Sequence, residues 1–364
     1  MNDKEKSLTY TSAGVNTETE KEGIMGIVQW ARKTLSFSAC RTVLDFGFFA
    51  NVLEIGMNIG LAISTDGVGT KIMISQMMNK FDTIGIDCVA MNANDILCVG
   101  ARPVAMVDYV AVQGMDKVLL HEIGKGLHEG ARQAGISIPG GEIAQIREML
   151  SPEKNSFDLV GTCIGTVMLD RIIDGRDIQE GDALIGLESS GIHSNGLTLA
   201  RKALFERGKF KADSYIPELR RTLGEELLEP TRIYVAAVQS LLDSQAPIKG
   251  LAHITGDGLF NLTRFNSPCG FVVETMPEAP PIFSLIQRAG HVAVEEMFKV
   301  YNMGVGFCVI TSPDHVQQVT EICAGHETGC HFLGYAVKDN DRKIILPNLG
   351  MIGQEGKFYN QPLK

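Results

Sequence analysis

No apolar run in the 364 residues reaches the roughly 18 that a membrane-spanning helix needs, and the start, Met1 to Ser7, is rich in Lys and Glu where a signal peptide would carry an apolar core. Neither a membrane partner nor secretion is expected, and a cytoplasmic location is. CxxC and Cys/His ligand spacings are missing. The eight cysteines (Cys40, Cys88, Cys98, Cys163, Cys269, Cys308, Cys323 and Cys330) are scattered, which argues against zinc and structural disulfides and for buried thiols in a reducing compartment. Positive charge is also short: 33 Lys and Arg stand against 43 Asp and Glu, a net charge of −10. Phosphate backbones repel such a protein, so no nucleic-acid partner is expected. There is no Walker A loop, no repeat of roughly 20 to 50 residues and no low-complexity segment.

What is present is ordinary for a globular enzyme: 45% hydrophobic and 21% charged residues, in a chain long enough for two cores. An acidic protein that binds a small polyphosphate needs local cations, and divalent metal held by carboxylates is the usual source. Residues 1–57 read as an arm or lid, with an amphipathic stretch at Ile24 to Leu35 and a Gly- and Phe-rich Asp45-Phe46-Gly47-Phe48-Phe49. Residues 58–172 alternate strands (Gly60 to Thr65, Val104 to Val112, one ending at Ile138, Asp158 to Leu169) with helices. The helix from Thr83 shows Val89, Ala93, Ile96, Leu97 and Gly100 as one buried stripe, with Asp87, Asn94 and Asp95 on other faces. Another helix runs from Lys117 to Gly135. Polar turns near 172–180 mark the boundary, and 173–364 restarts the alternation: strands at Ala183 to Leu187, Ile248 to Ile254, Phe271 to Glu274 and Gly304 to Thr311, a helix at Leu197 to Arg207, and one introduced by Glu229-Pro230-Thr231 and running through Leu242. The class is α/β or α+β, and 208–224 reads as a mobile excursion.

Five segments carry chemistry. In Asp66-Gly67-Val68-Gly69-Thr70-Lys71 a strand ends at a carboxylate, two glycines and a lysine: Gly67 and Gly69 let backbone N–H groups approach phosphate, Asp66 can hold a cation and Lys71 can neutralise phosphate. A tight turn with a surface Lys is the plainer alternative. Asp87, Asn92, Asn94 and Asp95 crowd an otherwise apolar helix, as inward-facing ligands or as local caps. Pro139-Gly140-Gly141-Glu142 sets a further carboxylate at a strand end, where a solvated loop acid is equally at home. Ser189-Ser190-Gly191-Ile192-His193-Ser194-Asn195-Gly196 joins a strand to a helix through hydroxyls and glycines, either an anion site or a long turn with a cap. His253-Ile254-Thr255-Gly256-Asp257-Gly258 repeats the design with a histidine suited to proton handling, or to a hydrogen-bonded core position. Asn302-Met303-Gly304-Val305-Gly306 is a further Gly turn.

In this order these segments, with Tyr10-Thr11-Ser12-Ala13-Gly14-Val15 and Leu228-Glu229-Pro230-Thr231-Arg232-Ile233-Tyr234, resemble phosphoribosylformylglycinamidine cyclo-ligases, the AIR synthase family, over nearly the whole chain. The resemblance implies a homodimer whose N-terminal sheets form a shared barrel, each beside a C-terminal α/β domain. It also implies ATP-dependent ring closure of a ribotide substrate, formylglycinamidine ribotide, with the formyl amide oxygen phosphorylated before an amidine nitrogen attacks. It places Mg2+ on Asp66, Asp95 and Glu142, ATP on Asp66, Gly67, Gly69, Thr70, Lys71, Asp87, Asn92, Gly140 and Gly141, the ribotide on Ser190, Gly191, His193, Ser194 and Asn195, and catalytic roles on Lys71 and His253. Selenophosphate synthetase, thiamine-phosphate kinase, a nucleotide-sensing dimer and a magnesium-dependent phosphatase are the rival readings. The chain departs from the family pattern at Ile143-Ala144-Gln145-Ile146-Arg147, usually Thr-Ala-Glu-Met-Pro, and at Gly256-Asp257-Gly258, usually three glycines.

Overall fold

The computed structural model describes residues 7–15, 17–151 and 155–360; the polar leader before Ser7 lies outside them. Helix α1 (Thr17–Thr34) occupies the amphipathic stretch, yet Ile24, Ile27 and Trp30 face solvent, so it packs on little. A first sheet follows, built from β1 (Asn51–Gly56), β2 (Ile59–Gly67), β3 (Arg102–Val112), β4 (Ser137–Gln145) and β5 (Phe157–Met168), in the order β1-β2-β5-β3-β4. Only the β3–β4 pair is parallel. The sheet thus starts with β1, inside the stretch read as an arm. Three helices accompany it: α2 (Lys71–Met78), α3 (Ile84–Leu97) and α4 (Lys117–Ala134). Local signals set α4: Asp116 accepts from the N–H groups of Val118 and Leu119, and Gly135, at φ 64°, ends the helix in the left-handed region.

Helix α3 lies on one face of this sheet, close enough that glycine is needed beneath it. A Cβ at Gly161 would come within 2.7 Å of Asn92 Nδ2, and one at Gly165 within 2.5 Å of Ile96 Cγ2. The expected apolar stripe of α3 is buried, but so are Asn92, which lies against the first sheet, and Asp87 and Asn94, which the second half of the chain covers. Among the described residues no helix covers the opposite face of the sheet. By register it carries Leu61, Ile63, Val160, Ile164, Val107 and Tyr109, all at least partly exposed.

The second sheet has eight strands: β6 (Ala183–Glu188), β9 (Ile248–His253), β10 (Cys269–Val273), β11 (Val305–Thr311), β12 (Cys330–Lys338), β13 (Ile344–Leu346), β14 (Met351–Gln354) and β15 (Lys357–Asn360), in the order β15-β14-β13-β10-β12-β6-β11-β9. Strand β11 is buried along its whole length and β6 along nearly all of it, as strands covered on both faces are. Helices α5 (Leu197–Arg201), α6 (Leu223–Leu227), α7 (Val235–Asp243), α8 (Pro281–Gly290), α9 (Val294–Val300) and α10 (Val316–Gly325) complete a mixed α/β architecture in two parts. None of the helices among the described residues is long and apolar enough to cross a membrane.

Two expectations change. The stretch 208–224 is folded: β7 (Tyr215–Ile216) pairs with β8 (Arg221–Thr222), and Thr222 and Glu225 form a reciprocal cap at the start of α6. Residues 229–234 do not begin a helix, which starts at Val235. Their backbone donors are taken elsewhere, Thr231 N–H by Asp87 and Tyr234 N–H by Asn94, so helical pairing is forgone. Because α3 rests on Gly161, Gly161→Val is expected to lower stability by about 1–3 kcal/mol through overpacking, seen as an earlier midpoint in urea unfolding at unchanged slope.

Candidate active site at the domain junction

Asp66 is the last residue but one of β2, and α3 pins it there. The Asn92 side chain accepts from Asp66 N–H at 2.9 Å and donates to Asp66 O at 3.0 Å and to Cys88 O at 2.9 Å. Asn92, expected at the nucleotide, is therefore a splint that fixes a carboxylate in place. Asp66 Oδ1 accepts from Gly67 N–H at 2.7 Å. Its carboxyl is pushed up to about 6, first by burial and then by the negative charge of Asp95. Asp95 accepts from Ser64 Oγ at 3.4 Å and meets His253 Nδ1 at 2.9 Å, and His253 itself is fully buried with Nε2 3.4 Å from Asn94 Nδ2. Arg264, over the Phe49 ring at 4.7 Å, lends weak positive potential to Asp66.

Two carboxylates held together, without an ion pair to neutralise Asp66, suit a divalent cation. Their donor set fits magnesium, though no group of three such ligands is assembled among the described residues. The expected third ligand explains why. Asp66 stands in one row with Gly161, Asp108 and Gly141 across the sheet. Glu142 is the next residue along β4, so strand alternation turns it to the opposite face, with two strands between β4 and β2. It is exposed and accepts from the N–H of Ile143 at 2.9 Å. One chain does not bring Glu142 to Asp66 and Asp95.

Asp108 takes a place in that row which sequence reasoning missed. Gly161 separates it from Asp66, and Gly141 leaves it room, since a Cβ there would lie 2.5 Å from Asp108 Oδ1. Burial raises its carboxyl as well. The available signal was a lone carboxylate inside the apolar run Val104 to Val112. Gly140, by contrast, lies on the helix-free face beside open space.

The turn after Asp66 is open at Gly69, which takes φ 68°, and Thr70 Oγ1 lies 3.1 Å from Thr198 Oγ1 on the other side of the junction. Lys71, expected to neutralise phosphate, is instead wholly buried and ion-paired with Asp87 at 2.8 Å. It is the first residue of α2, and its ammonium is taken by Asp87 and by the carbonyl of Glu229. Asp87, expected at the nucleotide, is equally buried and spent on that pair and on Thr231 and Ser194.

Across the junction, the loop 189–196 is tied down from inside. Asn302 Oδ1 accepts from Ser189 Oγ at 3.0 Å and Asn302 Nδ2 donates to Gly191 O at 2.9 Å. His193, at φ 62°, uses Nε2 to accept from Ser190 N–H at 3.2 Å and Arg232 N–H at 3.5 Å. Burial, and then the nearby His253, Lys71 and Arg232, hold it well below the usual histidine range, so it is a neutral acceptor and is not presented to an anion. Ser190 Oγ donates to Pro230 O, and Ser194 Oγ reaches Asp87. Asn195 is half-buried, with Nδ2 4.0 Å from Met91 Sδ.

A family model described as AIR synthase related protein, N-terminal domain, matches residues 49–167, and that of the C-terminal domain matches residues 179–347. The chain belongs to the AIR synthase family. Within it, the chain is 45% identical over 332 residues to the phosphoribosylformylglycinamidine cyclo-ligase of Methanobrevibacter smithii, covering 91% of this chain and 95% of that one. Its identity to the enzyme of the same name from Pyrococcus furiosus is 48% over 317 residues, covering 86% and 91%. Among solved structures, thiamine-monophosphate kinase from Stenotrophomonas maltophilia superposes with a TM-score of 0.59 at 16% identity, over 86% of this chain and 93% of that one. The hydrogenase maturation protein HypE of E. coli gives 0.57 at 16%, over 84% and 85%. These two share the fold with this AIR synthase family member.

The raised Asp66 carboxyl makes a signed prediction. A folded-state value of about 6 against an ordinary 3.8 means the folded protein holds the extra proton, so stability falls as pH rises from about 4 to 6. In metal-free protein, Asp66→Asn is expected to raise Tm above pH 6 and to leave it unchanged at pH 4, as scanning calorimetry across that range will register.

Proposed function

We propose that the protein closes the imidazole ring of aminoimidazole ribotide from formylglycinamidine ribotide, converting ATP to ADP and phosphate, as an ATP-dependent ligase of purine biosynthesis. The observation that carries this reading is the opposition, across one domain junction, of the Asp66 and Asp95 carboxylates beside a Gly-rich turn and a hydroxyl-rich loop, in a chain of this family. We assign the nucleotide to the 58–172 domain and the loop for the ribotide phosphate to the 173–364 domain, in a cytoplasmic enzyme.

Asp66 and Asp95 would hold magnesium, which when bound would supply charge neutralisation to the triphosphate. Gly67, Gly69 and Thr70 leave the turn open for backbone N–H groups to meet phosphate oxygens. The ribotide phosphate lies on the N–H groups of Gly191 to Asn195 and on the Asn195 amide. Phosphorylation of the formyl amide oxygen gives the ring closure a phosphate leaving group, and the amidine nitrogen of the same molecule then attacks the formyl carbon. Nucleophile and electrophile share one substrate, so the protein contributes placement and charge stabilisation more than new reactive groups. His253, oriented through Nδ1 by Asp95, is the candidate to relay the proton that the attacking nitrogen loses. Lys71 is withdrawn from contact with phosphate.

The helix-free face of the first sheet supports a homodimer. Val107, Tyr109 and Ile164 form an apolar surface there that no helix among the described residues covers, and Glu142 lies on the same face, so a metal role for Glu142 requires the second subunit. On this reading Tyr109→Glu converts a dimer to a monomer in sedimentation velocity, and an unchanged mass would remove the interface.

The reaction is tested by ADP release that depends on formylglycinamidine ribotide, with the product identified by NMR. ATP binding without turnover of that substrate would leave a nucleotide sensor. His253→Asn is expected to lower kcat by about 10²-fold; full turnover in that variant would remove the proton-handling role.

A further inference from the structure

Lys71 donates to Asp87 Oδ1 at 2.8 Å and to the carbonyl of Glu229, with both charged side chains fully buried. Asp87 Oδ1 also accepts from the N–H and the hydroxyl of Thr231, each at 2.7 Å, and from Ser194 Oγ at 3.1 Å. Asp87 Oδ2 is buried without a partner. The pair itself belongs to α2 and α3, packed with the first sheet. Apart from the pair's own bond, each of these contacts comes from the other side of the junction.

That asymmetry matters because a buried ion pair depends on further hydrogen bonds to offset the loss of water around its charges. Here the bonds to Asp87 Oδ1 from Thr231 and Ser194, and the one from Lys71 to Glu229, all come from another domain, so a shifted placement of the two parts would strip the pair of them in a dry interior. The network ends next to both binding segments. Lys71 follows Thr70 of the nucleotide turn directly, and Ser194 lies within the ribotide loop. Neighbouring bonds from α3 reinforce the same placement: Asn94 donates to Arg232 O at 2.9 Å and accepts from Tyr234 N–H at 3.0 Å.

We propose that Lys71 and Asp87 are positioning residues whose buried pair, completed by Thr231 and Ser194, sets the separation between nucleotide turn and ribotide loop. They touch neither substrate. What they control is the distance over which the phosphoryl group must travel to the formyl oxygen, a quantity to which rates are steeply sensitive. The inference rests on the cyclo-ligase reading for its kinetic consequence but not for its structural one.

The test uses full-length protein with Thr231→Val, which cuts one bond across the junction, and with Lys71→Met/Asp87→Asn, which removes both charges and keeps the acceptor for Thr231. Calorimetric titration of MgATP without ribotide is expected to give a Kd within about 3-fold of wild type for both. For Thr231→Val, kcat/KM for the ribotide falls about 10-fold, and amide hydrogen exchange accelerates over residues 190–195 and 229–234 with no change at 66–70. Loss of about 10-fold or more in MgATP affinity in the double variant, with Thr231→Val normal, would mean that Lys71 meets phosphate directly and would overturn the proposal. So would a lowered Tm accompanied by wild-type kcat, KM and exchange, which marks a merely structural pair. If wild-type protein fails to turn over the ribotide, the exchange pattern still decides the positioning claim.

Discussion

The arrangement of this molecule depends on charge buried in helix α3. Asp87 is enclosed at the meeting of two domains with Lys71 as its counter-ion, and removing one partner of such a pair costs about 3–5 kcal/mol. The helix is wrapped on every side: the first sheet below, α4 beside it, and the segment 229–234 with β9 above. Its polar residues divide accordingly. Asn92 serves the sheet, while Asp87, Asn94 and Asp95 serve the second domain. A helix that is polar on a buried face is costly unless each group finds a partner, and here the partners are what join the two halves.

The carboxylates at the strand ends show the opposite condition. Asp66 is held rigidly by Asn92 and Gly67, yet its charge is opposed by burial and by Asp95, which is why its carboxyl rises to about 6. Groups bonded across the junction join the domains, and carboxyls raised by burial form a second set. Asp108 joins the second set. Glu142 joins neither within one subunit, because a one-residue step along a strand exchanges its faces.

The loop facing these carboxylates follows the same division of labour. Its composition suggests side chains that receive the ribotide phosphate, but Ser190, His193 and Ser194 bond inward, to Pro230, to backbone N–H groups and to Asp87. Shaping the loop occupies them. A neutral histidine is well suited to that task, since it accepts a hydrogen bond without bringing a charge into a dry interior.

Much of the fold is legible in the residues themselves. Apolar runs ending in Gly turns place β2, β3, β6, β9 and β11, because strand alternation and turn chemistry are local. The segments Asp66 to Lys71, Asp87 to Asp95 and Ser189 to Gly196 are recognisable from composition and order, and with them the family. Local sequence does not say which way a side chain faces once two domains close upon it. Lys71 reads as a phosphate ligand and is an internal counter-ion; Thr231 reads as a helix start and is a donor to Asp87. Both outcomes depend on contacts between residues far apart in the chain, 144 positions in the case of Asp87 and Thr231. The residue types available for the chemistry are set by sequence alone, and whether each is spent on the fold or kept for a substrate is settled only by what tertiary packing brings against it.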